Sequence, residues 1–375
     1  MQSTLKIAVC GSASQSLVKV RRPIIQALHR AGHRVLACAP NIPAHRREAL
    51  NSWGIETASI SMRRQGINPL ADLRTIYSLY NLFRTWNPDK VLVYNAKPVV
   101  YGSLAAWASG AEPYVIVTGL GRNYTVNTPR ARFVRGILNS LYRISFSVCE
   151  GIFFQNEDDP ELLSRHGALP RNVPKHITNG SGVDTEHFAP SPVPEKPTYL
   201  CLARLIAEKG IREYVAAARR VKERYPDATF QLAGHFEPDV PGAITEDELQ
   251  QWTEEGVIEY LGYVDDVRSA IAQASTYVLP TYYREGTPRS ILEAMSMGRP
   301  IITTDAPGCR GTVESGENGW LVAPKQVDEL KEAMCWMIEN NEQRRVMGQK
   351  SRQLAEEKYD VNVVNQTIME GMGLI

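Results

Sequence analysis

Two glutamates, Glu285 and Glu293, stand with seven residues between them in the stretch from Tyr283 to Pro300, Tyr-Arg-Glu-Gly-Thr-Pro-Arg-Ser-Ile-Leu-Glu-Ala-Met-Ser-Met-Gly-Arg-Pro. An apolar run precedes it at 276–280 and another follows at 301–304, so the local order reads strand, loop, helix, strand. Thr287 suits an N-cap and Pro288 the first helical position, where a missing N–H costs nothing. Ile291, Leu292, Met295 and Met297 give the helix its apolar surface, and Gly298 and Pro300 end it. Its opening N–H groups, at Arg289 and Ser290, are then available to a phosphate. Carboxylates beside such a site do not hold phosphate, but they accept hydrogen bonds from ribose or sugar hydroxyls. That combination suits a nucleotide sugar; taken alone, it also fits a capped helix with a glutamate on its solvated face.

A second constellation follows the apolar run 199–203: Arg204-Leu205-Ile206-Ala207-Glu208-Lys209-Gly210. A guanidinium at a strand end and an ammonium five residues on can grip one diphosphate together, the first through paired hydrogen bonds and the second as a point charge. Such a pair is also common in a solvated loop. Its position at a strand end, in the same half of the chain as the two glutamates, favours the diphosphate.

The elements that must position these residues are strands alternating with amphipathic helices. Strands are expected over 5–10, 34–39, 55–59, 90–94, 114–118, 151–155 and 175–178, then over 199–203, 229–233, 257–261, 276–280, 301–304 and 319–322, with a helix over about 21–31. This rhythm predicts an α/β protein with two doubly wound parallel sheets and ligands at the carboxyl ends of the strands. The 375 residues exceed one ordinary core. The Pro-rich stretch 189–197 interrupts the pattern and is expected to link a domain over 1–188 to one over 198–357, with a helix over about 358–375 that can pack back on the first. No run is apolar enough to span a bilayer, and 5–10 is too short for a signal peptide. Cys10, Cys38, Cys149, Cys201, Cys309 and Cys335 have no zinc-ligand spacing and read as reduced thiols.

The net charge of +1 conceals a division. Residues 1–185 carry 22 Lys+Arg against 11 Asp+Glu, and the remainder 20 against 30. The basic half therefore faces something anionic. Two helices there mix apolar and basic residues. One runs from Arg63 to Trp86, with Leu70, Leu73, Ile76, Tyr77, Tyr80 and Phe83 among Arg63, Arg64, Arg74 and Arg84. The other runs from Arg130 to Ser147, with Phe133, Val134, Ile137, Leu138, Leu141 and Ile144 among Arg132, Arg135 and Arg143. Each suits an anionic membrane surface, and each equally suits a core helix with a basic exposed face. Nucleic acid is not expected, because no aromatic-basic platform or recognised nucleic-acid motif accompanies the charge.

Arg204, Lys209, Glu285 and Glu293 resemble the site of the retaining glycosyltransferases of family 4. The resemblance covers nearly the whole chain, from the Gly11 loop through Asn179-Gly180-Ser181-Gly182-Val183-Asp184 to the glutamate helix. Arg22-Pro23-Ile24-Ile25, Gly119-Leu120-Gly121 and Leu138-Asn139-Ser140-Leu141-Tyr142 are similar to the bacterial branch that extends undecaprenyl-diphosphate-linked saccharides. The resemblance implies the GT-B architecture, two Rossmann-like domains whose sheets face across a cleft, in a cytoplasmic protein peripheral to the inner membrane face. It implies that Arg204 and Lys209 hold the donor diphosphate, that Glu293 accepts from the ribose, and that Glu285 meets the sugar near its 3- and 4-hydroxyls. The backbone of 262–266, Gly262 and Val264 included, would seat the base, with Gly286, Thr287, Pro288 and Arg289 on the phosphate side. Gly11 and Ser12 would let the first domain approach the phosphate.

One departure stands out. Many relatives carry a histidine after the fourth strand, where this chain reads Val93-Tyr94-Asn95-Ala96-Lys97-Pro98, so Asn95 or Lys97 would take that place near the transferred sugar; Asn95 also suits the turn before Pro98. With no Asp-x-Asp pair in the chain, a metal on the diphosphate is not expected and no cofactor is implied. The family mechanism would be front-face, through an oxocarbenium-like transition state, with a phosphate oxygen taking the acceptor's proton. The expected reaction moves a hexose or N-acetylhexosamine, N-acetylgalactosamine first, from a UDP carrier to a polyprenyl-diphosphate-linked saccharide in glycan, O-antigen or capsule assembly. A nucleotide-sugar epimerase of the same architecture and a non-catalytic nucleotide-sugar-binding protein are the alternatives.

Overall fold

The computed structural model describes residues 4–62, 68–238 and 240–375. Two compact units divide the chain: 1–181 together with 361–375, and 182–360. In the first, β1 (Lys6–Cys10), β2 (Arg34–Ala39), β3 (Glu56–Ser59), β4 (Lys90–Tyr94), β5 (Glu112–Val117), β6 (Gly151–Phe154) and β7 (Lys175–Ile177) form a parallel sheet in the order β3-β2-β1-β4-β5-β6-β7. In the second, β8 (Thr198–Leu202), β9 (Thr229–Ala233), β10 (Glu259–Tyr260), β11 (Thr276–Leu279), β12 (Ile301–Thr304) and β13 (Gly319–Val322) repeat the winding as β10-β9-β8-β11-β12-β13. Both sheets bear out the doubly wound expectation, strand for strand.

The inner strands are buried along nearly their whole length because helices cover both faces of each sheet, whereas the edge strands β3, β7 and β10 are polar and partly exposed. Along β1, Ile7 and Val9 enter one core while Ala8 and Cys10 enter the other. All six cysteines are buried free thiols. The strand order reverses between β1 and β4 and between β8 and β11, and at such a reversal the loops leaving adjacent strands diverge and open a crevice.

Local sequence fixes the helix ends. Helix Pro69–Trp86 starts where Asn68 accepts from the Ala71 N–H, and helix Pro129–Phe146 where Thr128 accepts from the Ala131 N–H, each with proline in the first turn. Arg63 and Arg64 lie outside the described residues. The expected cap at Thr287 is displaced: Pro288 occupies the N-cap with extended backbone, and helix Arg289–Ser296 begins one residue later.

The Pro-rich stretch 189–197, expected to link the two domains, lies within the second unit. Prolines leave a chain rich in carbonyls and poor in N–H donors, and buried guanidinium groups supply the missing donors. Arg299, fully buried, donates to the carbonyls of Ser191 (2.8 Å), Pro192 (3.2 Å), Ile271 (2.8 Å), Ala272 (3.1 Å) and Met297 (3.1 Å). Arg344 donates to Pro194 and Glu195, both at 3.0 Å, and Arg352 to Thr185 (3.0 Å) and Phe188 (3.1 Å). Burial pulls the Arg299 guanidinium down to about 10. The last helix, Val361–Gly371, belongs to the first unit, where Val364, Ile368 and Met369 enter the core formed with Ile24, Ile25 and Leu28.

Arg299→Met is expected to cost about 3 kcal/mol of stability, because it strands five carbonyl acceptors, those of Ile271 and Met297 buried. Arg299→Lys recovers little of this, since one ammonium cannot span them. Urea unfolding of both variants measures it, and a native midpoint for Arg299→Met would contradict the clamp.

Candidate functional site

The second sheet brings Arg204, Lys209, Glu285 and Glu293 to its carboxyl edge, where the loop after β8 meets the loop after β11. The chain reaches Lys209 through a single 3-10 turn, Ala207–Lys209, closed by Gly210 at φ 75°. Gly210 is required there: a Cβ would stand 2.0 Å from the Pro280 carbonyl oxygen, so only glycine lets the turn lie against the end of β11. The Glu208 carbonyl then accepts from the Thr281 hydroxyl (3.0 Å), the Tyr282 N–H (2.9 Å) and the Tyr283 N–H (3.0 Å). The two loops are one structure, and Lys209 and Glu285 meet within it as an ion pair between largely buried groups. The Thr281 hydroxyl lies 3.3 Å from the same Glu285 oxygen.

From the other side, Gly308 (φ 80°) packs so closely that a Cβ would stand 1.6 Å from the Gly286 carbonyl oxygen. Helix Arg289–Ser296 is anchored beneath by Tyr277, whose hydroxyl lies 2.7 Å from Ser290 Oγ. One turn into that helix, Glu293 is 12% exposed and pairs with Arg289 at 2.8 Å. Burial pushes its carboxyl above the ordinary value, and Arg289 only partly pulls it back.

Arg204 is the more exposed cation and meets Glu237 at 3.4 Å. The backbone of 262–266, expected to seat the base, follows β10. Gly262 has φ 72°, and its carbonyl accepts from the Gly234 N–H at 3.0 Å. Val264 packs on the core while Tyr263 is exposed, its ring edge-on to His235. Thr281, Tyr283, Glu237 and Gly308 escaped the sequence reading. Thr281 and Tyr283 lie inside the strand-to-glutamate loop and carried that much signal; the pairing of Glu237 with Arg204 spans 33 residues and carried none.

In the first unit, Gly11, Ser12 and Asn95 come together at the ends of β1 and β4. A Cβ on Gly11 would lie 2.2 Å from the Tyr94 ring, so the glycine makes room for that buried tyrosine. The Ser12 hydroxyl donates to Asn95 Oδ1 (3.0 Å), the Asn95 amide reaches Thr118 (3.4 Å), and Asn95 holds φ 69°. Lys97 does not join them. Its ammonium pairs with Asp72 at 2.8 Å and braces the start of helix Pro69–Trp86. Among the described residues no group of three or more His, Cys, Asp or Glu could hold a metal ion.

Two family models match the chain: Glycosyl transferase 4-like over residues 6–156, and Glycosyl transferases group 1 over residues 183–354. The chain is 26% identical to the N,N'-diacetylbacillosaminyl-diphospho-undecaprenol alpha-1,3-N-acetylgalactosaminyltransferase of Campylobacter jejuni, over 98% of each chain. It is 23% identical to the UDP-Gal:alpha-D-GlcNAc-diphosphoundecaprenol alpha-1,3-galactosyltransferase of Escherichia coli, over 72% of this chain and 71% of that one. The crystal structure of Anabaena HepE in complex with UDP superposes with a TM-score of 0.78 at 18% identity, over 99% of this chain and all of that one. Two doubly wound parallel sheets, with this structural match, are the GT-B architecture. Matched in both halves, the chain belongs to the family 4 glycosyltransferases.

The state of Glu293 gives a signed expectation. A carboxyl raised in the folded protein destabilises it above that raised value, and the cost fades as pH falls through it. Glu293→Gln is therefore expected to melt slightly above the native protein at pH 7, with the gap closing towards pH 4, while binding UDP more weakly. Melting curves across pH with a UDP titration check both; a variant that melts lower at pH 7 contradicts the burial argument.

Proposed function

We propose that this glycosyltransferase moves a sugar from UDP, with retention at the anomeric carbon, to a saccharide on undecaprenyl diphosphate. The observation that carries the reading is the meeting of Lys209 with Glu285 where the loops after β8 and β11 join, with Arg204 and Lys209 both beside the Tyr283 ring. Lys209 pairs with Glu285, and Arg204 with Glu237. An incoming diphosphate takes both cations, and Glu285, released from Lys209, accepts from the sugar hydroxyls. Glu293 accepts from the ribose, while the backbone at Gly262 and Val264 seats the uracil and Gly286, Thr287, Pro288 and Arg289 border the phosphates. Ser12 and Asn95 serve the sugar or acceptor side.

In the reaction the bond from C1 to the diphosphate oxygen breaks as the acceptor oxygen bonds C1 on the same face. The acceptor proton passes to a diphosphate oxygen. Arg204 and Lys209 stabilise the charge gathering on the leaving group, a role worth about 10²–10³ in rate per preorganised group. This assignment needs no carboxylate nucleophile and no metal on the diphosphate.

The acceptor class follows the C. jejuni and E. coli relatives, both named for sugars on undecaprenyl diphosphate. N-acetylgalactosamine is the first choice of sugar because the C. jejuni match spans both chains. We place the protein at the inner face of the cytoplasmic membrane. On helix Pro69–Trp86, Leu70, Leu73 and Tyr77 are 73%, 62% and 68% exposed along one face. On helix Pro129–Phe146, Phe133 and Ile144 are exposed among Arg130, Arg132 and Arg143. Both helices cover the same face of the first sheet, and this mixture suits anionic lipid.

A panel of UDP-sugars is offered with and without an undecaprenyl-diphosphate saccharide, and the product's anomeric configuration is read by NMR. Transfer with retention is expected; interconversion without acceptor would mean an epimerase, and UDP-sugar binding without turnover a binding protein. Lys209→Ala is expected to lose about two to three orders of magnitude in kcat with its melting temperature kept within a few degrees. Near-native turnover refutes its diphosphate role. For the membrane, co-sedimentation with phosphatidylglycerol vesicles is expected to exceed that with phosphatidylcholine and to fall with salt. Leu70, Leu73 and Tyr77 together changed to Ser should weaken it, and equal sedimentation with both lipids removes this part of the reading.

A further inference from the structure

The two cations each have a carboxylate partner and share an aromatic one. The Tyr283 ring centroid lies 5.7 Å from the Arg204 guanidinium carbon and 5.9 Å from the Lys209 ammonium, both inside cation–π range. The ring is held at its backbone, for the Tyr283 N–H donates to the Glu208 carbonyl at 3.0 Å and approaches the Thr281 hydroxyl at 3.2 Å. Tyr283 is thus fixed to the same carbonyl that ties Lys209's turn to Glu285's loop, and from there it reaches across to Arg204.

The partners differ in what they do to a ligand. Glu237 and Glu285 neutralise Arg204 and Lys209, so a diphosphate must displace them. An aromatic face attracts a cation through its quadrupole without cancelling its charge. It offsets the repulsion between two neighbouring cations and leaves both for an anion. A carboxylate midway between them would compete with the donor, and an aliphatic side chain would hold neither.

We infer that Tyr283 is a positioning residue for donor binding, its ring holding Arg204 and Lys209 converged as a pair on one diphosphate. This rests on the reading of Arg204 and Lys209 as the diphosphate cations.

The test is UDP binding by calorimetry together with donor KM and kcat. Tyr283→Leu is expected to weaken UDP about 5- to 30-fold, as the loss of two cation–π contacts would, and to raise donor KM accordingly. Tyr283→Phe, which keeps the ring, should restore binding to within about twofold. In a double-mutant cycle, Arg204→Ala should cost less in the Tyr283→Leu background than in the native one. A merely structural tyrosine would lower the melting temperature and leave that cycle additive. Tyr283→Met stands in should the leucine variant unfold. Native UDP affinity in Tyr283→Leu, failure of Tyr283→Phe to rescue, or an additive cycle each overturns the inference. If instead Arg204→Ala and Lys209→Ala both bind UDP as the native protein does, the diphosphate reading itself has failed.

Discussion

The Glu208 carbonyl oxygen receives three donors from the loop after β11, and the site depends on that arrangement. Parallel strands end at their carboxyl edge with unpaired backbone groups, and loops leaving neighbouring strands have no inherent reason to stay together. Here one carbonyl, delivered by a short 3-10 turn, joins the loop after β8 to the loop after β11. The joint is close because Gly210 has no side chain to hold it off. Lys209 and Glu285 come together because their backbones already have, so the ion pair is a consequence of the joint.

A pair of charges this buried is a poor source of stability, since removing both from water roughly cancels their attraction. An unpaired ammonium at a nearly closed site would be costly, and Glu285 relieves that cost. Under the proposed function, donor binding would be a swap of anions around the two cations, and it would leave the carboxylate ready for hydroxyl groups. Glu293 stands differently: it is buried against Arg289 and keeps a raised pKa. The two glutamates of one sequence pattern therefore occupy unlike electrostatic environments.

Much of the fold was legible because strand period, helix period and strand order obey local rules. Apolar runs marked the inner strands of both sheets, whereas the caps at Asn68 and Thr128 went unread and the two helices were expected to begin at Arg63 and Arg130. The misplaced cap at Thr287 has a local cause: Pro288 fits the first helical turn, but here it takes the extended cap conformation and hands the first helical position to Arg289. The stretch 189–197 was misread for a tertiary reason, because nothing in a proline-rich sequence shows that arginines about a hundred residues or more downstream will bind its carbonyls. The pairing of Lys97 carried no signal either, because its partner Asp72 lies 25 residues back on another element.

The site divided along the same line. Residue type and spacing selected Arg204, Lys209, Glu285 and Glu293 because a diphosphate and a set of hydroxyls demand those groups. What holds them was invisible, since a carbonyl acceptor carries no signature in the sequence and a glycine's closest neighbour is a matter of packing. The requirement placed on Gly308 by the Gly286 carbonyl is of this kind: the two are 22 residues apart, and only the folded chain shows that a methyl group between them has no room. Sequence chemistry thus names the groups that can meet a ligand, while the backbone joints that hold them there are made by close approaches that only the fold creates.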